Sequence, residues 1–208
     1  MTEQRMPVVN VIIAGVGGQG SILTSHLLAE AALKGGLGAK LAETFGAATR
    51  GGSVFAHLRL GQAWAPMIRE DTADVVVSVE PVEGLRVAST YLKPGGWALF
   101  NTHPWYPVDV TVGRAAYPAL AEIAQAMSQL GARLITLDAT ALAIRAGDAR
   151  ASNSVLLGGL FALSILPIQE SCLFEAMQDR WPARLVAINQ KAYHLGFEAV
   201  KQAMRETA

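Results

Sequence analysis

The chain is 208 residues long, 51% hydrophobic and only 16% charged, with a formal net charge of zero. Zero net charge with no Lys/Arg block argues against a nucleic-acid partner. One cysteine, Cys172, excludes an intrachain disulfide framework and a Cys-ligated iron–sulfur cluster within this chain.

The length suits one domain, or one domain with a modest appendage. The low charged fraction and a mean hydropathy of +0.30 fit a surface partly covered by a partner, or a compact Ala/Gly/Leu-rich α/β domain. Val8 to Ala14 is a β-branched run that predicts a buried parallel strand. It is too short for a signal peptide or a membrane span, and so is the apolar run Val155 to Leu166, which stops at Pro167. These features predict a cytoplasmic protein with no membrane partner.

The first strand leads into GVGGQG, and Ser21 to Lys34 then reads as a helix ended by Gly35, Gly36 and Gly38. Ala39 to Ala42 is a short second strand, and Glu43 to Gly52 a glycine-punctuated loop. Ser53 to Leu60 alternates as a strand does. After Gly61-Gln62, Trp64 to Ile68 reads as the returning arm of a β-hairpin. Asp74 to Val79 is the clearest central strand. Pro81 opens a helix running to about Tyr91, and a Pro94-Gly95-Gly96 turn leads to a strand over Trp97 to Asn101. This is the rhythm of a βαβ unit.

His103 to Tyr117 is rich in proline and reads as irregular. Ala119 to Gln129 follows as a helix and Arg133 to Leu137 as a strand, with Asp138 or Thr140 capping a short helix. From about residue 152 the chain is helical: Ser152 to Leu166, Ile168 to Arg180, and a last helix opened by Pro182. In that last helix Leu185, Ile188, Ala192, Leu195 and Ala199 mark an apolar face. Lys191, His194, Glu198, Lys201 and Arg205 mark a polar one.

Two glycine-rich turns are the candidate binding elements. Gly15, Gly17 and Gly20 fit G-x-G-x-x-G between a strand and a helix, with Gly18, Gln19 and Ser21 beside them. Such glycines either let the backbone approach a ligand, with helix amides aimed at an anion, or only let helix and strand pack closely. For a dinucleotide, an acidic residue belongs about twenty positions on, and Glu43 lies roughly there. The second turn is Arg50-Gly51-Gly52-Ser53. Its amides can form an anion-binding nest beside the Arg50 fork, or it is a plain strand entry with a solvated arginine.

Other polar residues have ordinary explanations. His26 fits a satisfied core or interface position, and alternation along its strand puts His57 toward solvent. No pair of histidines has metal-ligand spacing with a third ligand nearby, so no metal site is expected. Glu80 and Glu83 flank Pro81 at a helix start, where carboxylates favour the helix dipole. Glu80 also follows a central strand, where α/β ligand sites cluster. Asn153 reads as a helix cap in preference to a polar contact near the loops. The four tryptophans read as core or interface anchors.

Three features occur together: GVGGQG, the pattern E-x-x-G-x-x-x-RGGS-V-x-x-x-x-R from Glu43 through Arg59, and AD-V-V-V-x-x-E from Ala73 through Glu80. In this order they resemble the gamma-type subunit of the 2-oxoacid:ferredoxin oxidoreductases. The Pro94-Gly95-Gly96 turn, the segment Asn153 to Gly159 and the spacing Asn189 to Gly196 are similar to that family too. The stretch AETFGAATRGGSVFAHLRLG is most similar to the small (beta) subunit of the indolepyruvate branch.

The resemblance covers nearly the whole chain and implies a gamma-type domain over residues 1–208. The expected fold is a doubly wound, mostly parallel Rossmann-like α/β sheet with helices on both faces, a β-hairpin and a helical C-terminal part. It implies an accessory, non-catalytic subunit of a heteromer, inactive alone. Other subunits would hold thiamine diphosphate and iron–sulfur clusters, and ferredoxin would be reached through the complex.

The implied reaction is oxidative decarboxylation of a 2-oxoacid, with indolepyruvate or another arylpyruvate the best match. It yields an acyl-CoA, CO2 and reduced ferredoxin. Pyruvate, 2-oxoisovalerate and 2-oxoglutarate are the alternatives. Gly15, Gly17, Gly18, Gln19, Gly20, Ser21, Glu43, Arg50, Gly51, Gly52 and Ser53 would then shape the coenzyme A and thiamine cleft. Two competing readings stay open: a free-standing NAD(P)- or flavin-binding Rossmann enzyme, and a structural homodimer with vestigial loops.

Overall fold

The computed structural model describes residues 7–45, 52–106, 108–114 and 116–206. Strand β1 (Val9–Val16) is buried from Val11 onward because both of its faces are apolar. The strand order is β2 (Ala39–Phe45), β3 (Ser53–Leu60), β1, β4 (Ala73–Ser78), β5 (Leu92–Asn101), β6 (Arg133–Leu137). β1, β4, β5 and β6 pair in parallel, while β3 runs antiparallel to both of its neighbours, β2 and β1. Only β3 therefore opposes the common direction, and the sheet is mostly parallel as expected.

Alternation along β1 divides the core. Val11 and Ile13 face one apolar layer with Leu27 and Leu28 of helix α1 (Ser21–Lys34), and with Leu156 and Leu160 of α6 (Ser152–Ala162). Ile12 and Ala14 face the other, with Val87 and Ala88 of α2 (Pro81–Tyr91). Ile123 and Met127 of α4 (Leu120–Gln129) complete that second layer, so helices cover both faces. A short helix α3 (Val108–Thr111) interrupts the segment expected to be wholly irregular.

The helical C-terminal part comprises α5 (Ala139–Ala146), a 3₁₀ turn (Ala149–Ala151), α6, α7 (Glu170–Arg180) and α8 (Ala183–Glu206). α6 and α8 cross with their backbones in contact. A Cβ placed on Gly158 would lie 1.9 Å from the Tyr193 carbonyl oxygen, and one on Gly196 the same distance from that of Val155. Only glycine fits at such a crossing. Ser154 Oγ donates to Asn189 Oδ1 across the same pair of helices (2.7 Å).

One expectation fails. Trp64 to Ile68 forms no strand, so the expected hairpin is absent there. Both edges of β3 are already filled by β2 and β1, which leaves a returning arm nothing to pair with. The antiparallel pair is instead β2 with β3, joined through residues 46–52. The segment after β3 folds over its face: Arg59 Nη1 donates to the Ala65 carbonyl (3.0 Å), Ile68 is buried, and Trp64 stands 87% exposed.

Candidate functional site

Helix α1 follows β1 and helix α2 follows β4, and the two helices lie on opposite faces of the sheet. The carboxyl ends of β1 and β4 therefore flank the crevice where ligands bind in open α/β sheets. Because β3 runs backwards, its beginning lies at the same sheet edge. Val16 is opposite Ser53, and Gly15 opposite Val54. The two glycine turns meet there: the Gly17 N–H donates to the Gly52 carbonyl at 2.8 Å.

The first turn is tightly specified. Gly18 and Gly20 have φ of +100° and +81°, values that L side chains rarely adopt. Gln19 Oε1 accepts from the Val16 N–H (2.8 Å), and the Gln19 N–H donates back to the Val16 carbonyl (3.0 Å). Gln19 thus closes its own turn. Gly20 is the N-cap of α1, with no side-chain cap hydrogen bond. The Thr24 N–H and hydroxyl both donate to the Gly20 carbonyl. A Cβ on Gly18 would meet nothing within 4 Å, so this point of the turn is open.

Asn153, expected to cap α6, holds the glycine turn instead. Its Nδ2 donates to the Gln19 carbonyl at 2.7 Å, while its Oδ1 is buried and unpaired. It lies inside α6, after the true N-cap Ala151, so it is badly placed to cap that helix. A Cβ on Gly20 would come within 2.9 Å of the Asn153 amide nitrogen, which explains the glycine in steric terms.

The remaining expected site residues divide. Gly15 packs against Gln19 and Val79, and Ser21 is buried. Glu43 is on β2, with β3 between it and β1. Two inter-strand steps are roughly 10 Å. Its Oε1 pairs with Nε2 of the half-exposed His26 at 2.6 Å. In a dinucleotide fold the acid closes the strand beside the first, and here β3 occupies that place. Gly52 and Ser53 join the first turn. Arg50 and Gly51 lie outside the described residues.

Several members of this edge were not visible in the sequence. Arg86 reaches from α2 to the Ser53 hydroxyl, and its Nε (3.1 Å) and Nη2 (2.5 Å) both donate to Glu83 Oε2. Glu80 is only 2% exposed. Its Oε2 caps α2 by accepting from the Glu83 N–H (2.8 Å), and its Oε1 accepts from the Tyr117 hydroxyl and the Trp105 N–H. Burial, reinforced by the Glu80 contact, pushes the Tyr117 phenol well above its ordinary value. Asn101, at the end of β5, donates to the Val79 carbonyl (3.1 Å) and accepts from the Ala139 N–H (3.0 Å). The sequence marked only Glu80 and Glu83 here, as carboxylates at a helix start, with Glu80 also following a central strand.

His57 corrects another expectation. It is fully buried and does not face solvent. The segment after β3 covers it: the Ile68 N–H points at Nδ1 (3.4 Å), and the Phe55 and Tyr91 rings pack edge-on. Burial lowers its pKa. Trp64 and Trp105 are exposed and anchor no core.

Backbone donors, a guanidinium beside Ser53 and a fixed crevice make an arrangement suited to holding an anionic ligand in place. The family described as pyruvate ferredoxin/flavodoxin oxidoreductase matches residues 10–199, a span that contains both turns. The chain belongs to this family. Among its relatives is the indolepyruvate oxidoreductase subunit IorB of Archaeoglobus fulgidus, 39% identical over 188 residues, covering 90% of this chain and 93% of the relative. The subunit of the same name from Pyrococcus horikoshii is 39% identical over 195 residues (93% and 96%).

A solved structure shares the fold. It is the 2-oxoglutarate:ferredoxin oxidoreductase from Magnetococcus marinus with 2-oxoglutarate, coenzyme A and succinyl-CoA bound, at TM-score 0.73 and 23% identity. The match spans 96% of this chain but 32% of that one, about a third of the larger protein. Among the described residues, no helix is long and apolar enough to cross a membrane.

Proposed function

We propose that this chain is the gamma-type subunit of a 2-oxoacid:ferredoxin oxidoreductase that works in the cytoplasm. Its whole length forms one domain, and it shapes the coenzyme A side of the cleft without performing the chemistry. Indolepyruvate or a related arylpyruvate is the 2-oxoacid the reading favours, because IorB subunits lie at 39% identity. The observation that carries the reading is the Gly17–Gly52 hydrogen bond, which joins two separately encoded glycine turns into one donor-lined edge.

Coenzyme A, when bound, supplies the thiol that accepts the acyl group. Its phosphates suit the amide of Gly18, where the backbone is open, and the cations Arg50 and Arg86. Gln19 and Asn153 fix that backbone, so its donors need no reorganisation on binding. Ser21 and Gly15 close the turn onto β1, and Glu43 braces α1 through His26. Thiamine diphosphate and the iron–sulfur clusters belong to partner subunits. The domain helps exclude water from the reacting acyl group at the subunit boundary.

The test is co-expression with the adjacent reading frames, purification through this chain, and identification of what elutes with it. The complex is then assayed with indolepyruvate, pyruvate, 2-oxoisovalerate and 2-oxoglutarate, with coenzyme A and an artificial electron acceptor. Coenzyme A-dependent turnover, fastest with an arylpyruvate, is expected. Tight binding of NAD(H), NADP(H) or FAD by the lone chain, without any co-purifying subunit, would overturn the assignment.

A further inference from the structure

The glycine edge does not end at Ser53. From Ser53 an unbroken series of polar contacts runs across α2 to a distant part of the chain. The Ser53 hydroxyl accepts from Arg86 Nη2, and the same guanidinium is held by Glu83 Oε2. The Glu83 N–H donates to Glu80 Oε2 at 2.8 Å. Glu80 Oε1 in turn receives the Tyr117 hydroxyl and the Trp105 N–H, both from the segment after β5. That segment leaves the same sheet edge as the glycine turns, since β5 is parallel to β4 and β4 to β1.

The middle of this series is costly to build. Glu80 is almost wholly buried, and its named donors are two N–H groups and a phenol, all neutral. A buried carboxyl group without a cation is poor material for stability alone. The ring of Tyr117 is itself fixed, edge-on to Tyr106 with centroids 5.1 Å apart. The geometry therefore ties two loops to each other through α2. One begins β3 and touches the glycine turn through Gly52. The other follows β5.

We propose that Arg86, Glu83, Glu80 and Tyr117 are positioning residues that keep the Gly52–Ser53 turn in one register with Trp105 and Tyr117, so that a disturbance at either end changes the grip of the glycine turn on coenzyme A. This rests on the reading that the turn holds coenzyme A phosphates. None of the four needs to touch the ligand.

The decisive experiment is a double-mutant cycle in the purified complex, using Ser53→Ala and Tyr117→Phe. Each removes one oxygen atom, from opposite ends of the series. The readouts are KM for coenzyme A, kcat, and the melting temperature of each variant. Each single change is expected to raise KM severalfold with kcat nearly constant, the signature of lost uniform binding. The double variant should fall short of the product of the two effects by about threefold or more, the mark of coupled sites.

Arg86→Lys should recover only part of the loss seen in Arg86→Ala. An ammonium cannot reproduce a fork that spans Ser53 and Glu83. Multiplicative KM effects with unchanged melting temperatures would overturn the coupling while leaving the assignment of the site intact. A wild-type complex whose turnover ignores coenzyme A would overturn both.

Discussion

Replacing Asn153 by alanine separates the shape of the glycine turn from the stability of the fold. Asn153 Nδ2 donates one hydrogen bond to the Gln19 carbonyl, worth about 1 kcal/mol net. Against that loss stands the buried Oδ1, which finds no donor. Leaving such an acceptor unsatisfied costs roughly 1–3 kcal/mol, and the substitution removes it. Gln19 is a partly exposed residue, so water can take over. The sum lies between near zero and a gain of about 2 kcal/mol. For a protein of this size the melting temperature should then hold or rise by several degrees, at about 2–4 °C per kcal/mol.

Binding should move the other way. Without its tether the turn must be ordered when a ligand arrives, at about 1–2 kcal/mol for each residue fixed. If one residue is released, KM for coenzyme A in the assembled complex rises by about 5- to 30-fold. Thermal unfolding of the chain and steady-state kinetics of the complex read the two effects separately. A melting temperature lowered by more than about 5 °C would show that Asn153 is mainly structural. An unchanged KM would show that the shape of the turn is irrelevant to the ligand.

Three further outcomes follow from the packing. Gly158→Ala or Gly196→Ala must push α6 and α8 apart, since the new Cβ would lie 1.9 Å from a backbone oxygen. The expected cost is about 3 kcal/mol or more, a melting temperature lower by about 6–12 °C, and a wild-type melting curve would refute the crossing. Glu80→Ala removes the α2 cap and strands the Tyr117 and Trp105 donors, at about 2–4 kcal/mol in urea unfolding. Glu80→Gln keeps a single acceptor, so it preserves either the α2 cap or the Tyr117 and Trp105 contacts, sets an NH2 donor against the other, and should still cost a substantial part of that.

His57 sets a pH dependence. Its folded pKa is lowered from 6.5 by burial, so the unfolded chain takes up the proton first. The stability it secures is complete above its unfolded pKa and is lost as the pH falls through that value. The melting temperature of the wild-type chain should therefore drop between pH 7.5 and 5.5 more steeply than that of His57→Gln. Equal slopes would exclude a buried neutral histidine.

Elements with a local cause were readable from the residues. The runs at β1 and β4, the Pro81 start of α2, and the Asp138 cap of α5 carry their own signals, and the structure has each of them. The G-x-G-x-x-G turn was equally plain. Partnership was not readable. Alternation shows that Ser53 to Leu60 is a strand, but not that it slots between β1 and β2. The hairpin with Trp64 to Ile68 was the local guess, and a long-range pairing won.

His57 was misplaced for the same reason, because its cover arrives from a segment without periodicity. Asn153 looked like a cap because it begins a helix, and its real partner is 134 residues away. Arg86 carried no signal of its own, and Glu80 read as a helix-start carboxylate, until the turn at Ser53 and the ring of Tyr117 were brought beside them.

The α6–α8 crossing has a consequence for biosynthesis. Asn153 grips the glycine turn from α6, and α6 is seated by the glycine contacts it makes with α8. The turn emerges from the ribosome early, and the helix that ultimately braces it emerges late. A nascent chain stalled before residue 183 would carry the turn without its brace, so the cleft can mature only after translation has passed α8.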